Sequence, residues 1–167
     1  MKSNNIMLDL ETMSLSPYAA IIAIGAVRFD DEKILDKFYM TIDLSSSVEA
    51  GMHMSANTVL WWMKQKDEAR KQFLNDNTDI VTALIAFSDW VGDNAVVWGN
   101  GSAFDNVILS NAYELLAIQQ PWPYTNDRCY RTVKNLYPNI LLDRIGTHHN
   151  AINDAESQAL HLIKILQ

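Results

Sequence analysis

Four acidic residues and one histidine have the types and spacing for metal-assisted chemistry. Asp9 and Glu11 stand two apart in Met7-Leu8-Asp9-Leu10-Glu11-Thr12. On a strand, side chains two apart share a face, roughly 6.6–6.8 Å from each other, which leaves Leu8 and Leu10 to point into the core. Two carboxylates on one face repel, and without a cation one of them tends to take up a proton. A hard divalent ion removes the repulsion, because magnesium prefers oxygen ligands. The pair taken alone fits equally the exposed face of an edge strand. Asp105 closes the stretch Val96-Val97-Trp98-Gly99-Asn100-Gly101-Ser102-Ala103-Phe104-Asp105, which reads as a buried strand, a glycine turn and the start of a helix. Loops at the carboxyl ends of strands are where open α/β sheets place their sites. Ser102, three residues earlier, also permits a plain N-cap reading with an acid in the first turn.

The fifth residue is His149, five positions before Asp154 in His149-Asn150-Ala151-Ile152-Asn153-Asp154-Ala155. Five residues on one helix would stand about 140° apart. The two share a site only if His149 lies on the loop before the helix. Asn153 is expected to cap that helix with Glu156 as its reciprocal partner, making Asp154 the first helical residue. A loop histidine can exchange a proton near neutral pH. Of the adjacent His148 and His149, the five-residue spacing favours His149. A surface histidine with a first-turn acid remains the alternative.

The elements that must position these residues follow from periodicity. Residues 6–10, 20–29 and 35–42 read as strands, with a turn at Asp30-Asp31 between the last two. Ser55 precedes a helix containing Val59, Trp62 and Met63, and residues 79–91 place Ile80, Leu84, Phe87 and Val91 on one face. Residues 95–99 read as a buried strand, and 104–116, 127–136 (ending before Pro138) and 155–166 as helices. Three leading strands followed by alternating strands and helices predict an α/β fold, a mixed central sheet flanked by helices. The length fits one domain, residues 1–167.

Composition narrows the possibilities. Cys129 is the only cysteine, so no internal disulfide forms and a reducing compartment is expected. Residues 1–5 are polar, and the longest apolar run covers only residues 19–27, short of the roughly 20 residues of a membrane span. A cytoplasmic protein without membrane partners is the expectation. The net charge of −7 argues against a metal-free duplex binder. Two divalent ions held by four of the carboxylates would bring the total to about −3.

Together, Asp9-x-Glu11, Phe104-Asp105 and His149-x-x-x-x-Asp154-Ala155 resemble the DEDDh 3′→5′ exonucleases of the ribonuclease H-like superfamily. Two further segments, Thr58-Val59-Leu60-Trp61-Trp62-Met63-Lys64-Gln65 and Trp98 to Leu109, resemble the branch of phage-type exonucleases and poly(A)-shortening exoribonucleases. That branch's Asp-x-Arg-Thr segment is matched only loosely by Asp127-Arg128-Cys129-Tyr130-Arg131-Thr132, and no role is carried onto Asp127.

The resemblance implies a ribonuclease H-like sheet and two divalent ions, Mg2+ or Mn2+. It implies that Asp9 bridges both ions, Glu11 and Asp154 complete one shell, and Asp105 supports the second. His149 would accept the proton of the attacking water. The substrate would be the 3′ end of single-stranded DNA or RNA and the product a 5′-mononucleotide. The resemblance places the Thr12-Met13 turn against the terminal sugar. Trp61 aligns with Thr58 and Gln65 on a polar stripe, so Trp61 and Gln65 are expected to meet a base, while Trp62 aligns with Val59 and reads as core. Asn100 and Phe104 are expected to line the same cleft. A homodimer is compatible with the sequence. The rival readings are a metal phosphatase or transferase and a non-catalytic nucleic-acid-binding module on the same fold.

Overall fold

The computed structural model describes residues 4–74 and 76–167. Its centre is strand β1 (Asn5–Thr12), apolar on both faces: Ile6, Leu8 and Leu10 are buried on one side and Met7 on the other. β2 (Ile21–Phe29) and β3 (Ile34–Thr41) extend the sheet antiparallel on one flank. β4 (Val96–Gly99) and β5 (Asp127–Cys129) run parallel on the other, giving the order β3-β2-β1-β4-β5. A central β1 excludes the edge-strand reading of Asp9 and Glu11.

Strand alternation sorts side chains onto two layers. Ile6, Leu8 and Leu10 pack with Ile24 and Ala26 against Leu84 and Phe87 of α4 (Ile80–Val91) and Ile108 and Leu109 of α5 (Asp105–Leu115). On the opposite layer Met7, Val27 and Phe29 meet Tyr130 of α6 (Tyr130–Leu136) and Ala155, Ala159 and Leu162 of α7 (Ala151–Leu166). Asp9 and Glu11 alternate with Leu8 and Leu10, so they share the α7 layer. The connection from β3 to α4 carries α1 (Leu44–Glu49), α2 (Ala56–Met63) and α3 (Asp67–Lys71). No helix of the described residues is long and apolar enough to cross a membrane.

Three local expectations need correction. Residues 127–129 are strand, not the start of a helix. Asp127 Oδ1 accepts from Trp122 Nε1 at 2.9 Å and Asn106 Nδ2 at 2.8 Å, which ties that segment to the sheet. The last helix begins at Ala151, and its cap is Asn150 rather than Asn153. Asn150 accepts from the Asn153 amide at 3.2 Å, while Glu156 pairs with Lys37 at 2.6 Å instead of reaching back. His149 nonetheless precedes the cap, as its spacing from Asp154 requires. The cap of α5 is Phe104, without a side-chain bond from Ser102.

Two glycines set how closely the helices approach β1. Gly25 is paired with Asp9 across the β1–β2 ladder. A Cβ there would stand 2.2 Å from the Ala151 carbonyl carbon and 2.3 Å from the Ile152 nitrogen. A Cβ at Gly99 would stand 2.3 Å from Asn106 Oδ1 and 3.3 Å from Asp105 Cβ. The first turns of α7 and α5 therefore rest on bare backbone. Gly25→Ala should push the start of α7 off the sheet, lowering unfolding free energy by about 1–3 kcal/mol, the usual range for overpacking. It should also speed amide exchange in the first turn of α7. Unaltered denaturation and exchange would show that the approach is not limited by this glycine.

Candidate active site

Four carboxylates converge at the carboxyl end of β1. Asp9 and Glu11 come from the strand itself, Asp105 from the first turn of α5 and Asp154 from the first turn of α7. Glu11, Asp105 and Asp154 are buried, at 7%, 3% and 8% exposure, and Asp9 keeps some accessibility. Ligand oxygens of Asp9, Glu11 and Asp154 lie within 4.8 Å of one another. Asp105 is held otherwise. β4 stops at Gly99, opposite Leu8, so the Leu10 amide has no strand partner there. Asp105 Oδ1 accepts it at 3.1 Å. Gln158 Nε2 donates to Asp9 Oδ1 at 2.8 Å and Arg144 Nη1 to Asp154 Oδ1 at 2.9 Å.

His149 stands beside this group in a left-handed backbone conformation, φ 62°. Its backbone is fixed on both sides. The His149 amide donates to Asp154 Oδ2 at 2.9 Å, and its carbonyl accepts from Gln72 Nε2 at 2.7 Å. Gln72 Oε1 in turn accepts from Asn150 and Tyr39, each at 2.6 Å. The imidazole lies edge-on to Trp61 at 4.8 Å and against His148 at 3.8 Å. Burial, then the charge of His148, lowers its proton affinity from the usual 6.5.

An apolar groove of about 370 Å3 opens beside the acids, lined by Leu10, Glu11, Thr12, Leu15, Trp61, Trp62 and Phe104 among others. Leu10, Glu11 and Phe104 also line the acidic cleft, so the two are continuous. Asn100 lines the cleft. Trp61 is 41% exposed while Trp62 is buried, its Nε1 donating to Thr12 O at 2.9 Å. Gln65 donates to Trp61 O and lines a depression that shares His148 and His149 with the acidic cleft. The Met13 side chain packs with Leu44 and the Trp62–Ile22 cluster on the far side of α2.

Residues 4–166 match the family described as 3′-5′ exoribonuclease Rv2179c-like domain. The chain belongs to that family. The family is that of a 3′–5′ exoribonuclease domain, and the fold is shared with a DEDDh family member. It is 30% identical to a PolC-type DNA polymerase III of Staphylococcus haemolyticus and 29% identical to that of Bacillus subtilis, each over 97% of this chain. The chain spans only 11% of the length of those relatives. Its fold is shared with the nuclease domain of 3′hExo bound to rAMP (TM-score 0.63, 14% identity, 98% of this chain and 91% of that one). It is also shared with exonuclease X in complex with 5′ overhanging duplex DNA (TM-score 0.61, 16% identity, 97% and 90%). Pop2p of S. pombe, in its Mg2+ and Mn2+ bound form, matches at TM-score 0.62 and 14% identity, over 98% and 83%.

The exonuclease's donor set fits divalent ions. Every first-choice ligand is a carboxylate oxygen, the hard donor such ions prefer. Gln158 Oε1 and Asn100 Oδ1, also lining the cleft, are buried acceptors with no hydrogen-bond partner among the described residues. Burial, then Asp105, Glu11 and Asp154, hold the Asp9 carboxyl well above its ordinary value, against the Gln158 hydrogen bond. Burial, with Asp154 and Asp105, pushes Glu11 up to about 8. Burial lifts Asp105 to about 7 in spite of the Leu10 hydrogen bond. Such a cluster is short of positive charge, even with Arg144 on Asp154.

Sequence reasoning missed Gln158, Arg144 and Gln72. Gln158 was legible, standing four residues after Asp154 on one helical face. Arg144 and Gln72 act from irregular or very short elements and carry no periodic signal.

The raised acids set the sign of a pH effect. Their folded proton affinities exceed the unfolded ones, so the ion-free protein loses stability as pH rises from the unfolded carboxylate range, about 4, through about 8. The exonuclease in chelator should melt lower at about pH 8.5 than at about pH 5.5, and a divalent ion should raise the melting temperature more at the higher pH. Glu11→Gln should flatten the slope. Identical thermal-shift slopes in wild type and variant would mean that these acids are not repelling one another.

Proposed function

We propose that the cleft hydrolyses the last phosphodiester bond at the 3′ end of single-stranded DNA or RNA, releasing 5′-mononucleotides one at a time. The convergence of four acids with a backbone-pinned histidine is the observation that carries this reading. Asp9, Glu11 and Asp154 would hold one Mg2+ or Mn2+, and Asp9 with Asp105 a second. When bound, the ions supply positive charge where the phosphate gains negative charge. The chain's own residues do the rest. His149, neutral at pH 7 because its proton affinity is depressed, accepts a proton from the attacking water through its ring nitrogen. Gln72 and Asp154 keep its backbone from following the ring. Gln158 holds Asp9 in one orientation. Trp61 and Phe104 offer faces to the terminal base, and Thr12 and Asn100 flank the sugar and phosphate.

The groove supports a single-stranded end. Its walls are apolar and aromatic, suited to an unstacked base, and stacking of this kind contributes roughly 1–3 kcal/mol with little sequence preference. Matched DNA and RNA oligomers, labelled at either end and incubated with magnesium, manganese or chelator, test the whole reading. Stepwise shortening from the 3′ end with mononucleotide product is expected. Release of free phosphate alone would indicate a phosphatase.

Asp9→Ala should abolish turnover with the fold retained by circular dichroism. A near-normal rate would remove Asp9 from the reaction. His149→Ala should lose roughly 10²–10⁴-fold in rate near neutral pH and recover part of it at high pH, where hydroxide is abundant. The wild-type rate should fall as pH drops through the lowered His149 value, below 6.5. A variant whose pH–rate profile overlays wild type would count against His149 as the proton acceptor.

A further inference from the structure

A second set of metal-ligating side chains lies at the mouth of the cleft and differs in chemistry from the first. His148, His149 and Asp154 each present one ligand atom, and these atoms lie within 4.8 Å of one another. The two imidazoles are stacked, 28° from parallel. The His149 hydrogen bonds among the described residues run through its backbone, which leaves its ring nitrogens free for an ion. Nitrogen ligands ill suit magnesium, which selects oxygen, but two imidazoles and a carboxylate suit Zn2+ and its neighbours in the transition series.

We propose that His148, His149 and Asp154 form a Zn2+-type site whose occupation switches the exonuclease off. This rests on the reading of His149 as proton acceptor and Asp154 as a ligand of the hard ions. A single Zn2+ would claim the His149 lone pair and the Asp154 carboxylate together, withdrawing both from hydrolysis.

The site is largely preformed. Tetrahedral ligands at roughly 2.0–2.1 Å from zinc stand about 3.3 Å apart, so modest side-chain rotations close the present spacing. His148 is exposed and free to make that rotation. The backbone of His149 is already fixed by Gln72 and Asp154. Arg144 occupies Asp154 Oδ1 from a side chain about half exposed, with solvent to withdraw into. Three protein ligands leave a fourth position for water, and selectivity over magnesium follows from donor type alone.

His148 holds neither the attacking water nor the hard ions, and it bears on the hydrolysis proposed above only through the proton affinity of His149, so at a pH where His149 is neutral it separates the zinc site from the reaction. The metal-free full-length chain is titrated with Zn2+ against a chromophoric chelator, and with Co2+ as a spectroscopic probe of nitrogen ligation. His148→Ala should weaken Zn2+ by at least about tenfold, since loss even of a residue that only orients a ligand costs that much. Zinc-free rates are compared at about pH 8, where His149 is neutral with or without its neighbour's charge, and the Zn2+ concentration that halves each protein's own zinc-free rate should rise by the same factor. Glu11→Gln should leave Zn2+ binding in place. Equal zinc affinity in His148→Ala and wild type, or loss of binding in Glu11→Gln, would put the ion among the carboxylates and overturn the proposal. Undiminished turnover in His149→Ala would sink the proton-acceptor reading alone, because the chelator titration of His148→Ala still reports on the site.

Discussion

Carboxylates held close together in a place short of water repel one another. At 4.8 Å and an effective dielectric of about 20, each ionised pair costs roughly 3 kcal/mol. Three mutually close acids, fully charged, would approach the whole folding free energy of a small domain, about 5–15 kcal/mol. The fold tolerates the cluster in two ways. Protons are retained to unusually high pH, and partial positive charge is supplied at fixed points. The amides of Leu10 and His149, the Gln158 amide and the first turns of α5 and α7 all direct partial positive charge at these oxygens. Among the described residues only Arg144 brings a full charge into direct contact, on Asp154. The remaining demand is what makes divalent cations fit the cleft.

Assembling such a cluster requires the backbone to come closer than side chains normally allow. Gly25 lies opposite Asp9 and admits the first turn of α7, while Gly99 ends β4 and admits the first turn of α5. The absence of two Cβ atoms thus sets where Asp154 and Asp105 stand relative to β1. The core on either side of the sheet then holds the helices along their length, through Ala155, Ala159 and Leu162 on one layer and Ile108 and Leu109 on the other. Small residues on α7 serve the same end, letting the helix axis lie near the sheet.

Much of this is legible in the chain itself. The alternation Leu8-Asp9-Leu10-Glu11 placed the two acids on one face, and the five-residue spacing put His149 off the helix that carries Asp154. Both follow from fixed periods of strand and helix. The start of α7 was misplaced because Asn150 and Asn153 can each cap, and only the contact with Gly25 distinguishes them. β5 was read as helix because its three residues are too few to show a period, and its tie to Trp122 and Asn106 is tertiary. The role of Gln72 was invisible for the same reason: its partners, Tyr39, His149 and Asn150, lie 33 to 78 positions away. The Met13 side chain packs against the Trp62–Ile22 cluster, and no period of the chain shows which way that short turn faces.

The net charge of −7 also takes on a different meaning once the acids are located. Four of the negative charges are inside the cleft, where they attract cations rather than face an approaching phosphate. Arg131, Lys134 and Arg144 line that same cleft. Arg131 is directed inward by a hydrogen bond to the Asn100 carbonyl, on the loop that leads to Asp105. A strand end entering the loaded site would therefore meet positive charge at the rim and at the floor, although the protein as a whole is acidic. Electrostatic guidance depends on the field near the entrance more than on the total, since charges farther than about 8 Å are screened at physiological ionic strength. An acidic chain can meet an anionic strand for that reason, and the shortage of positive charge around its buried acids is the same fact seen from the side of the protein.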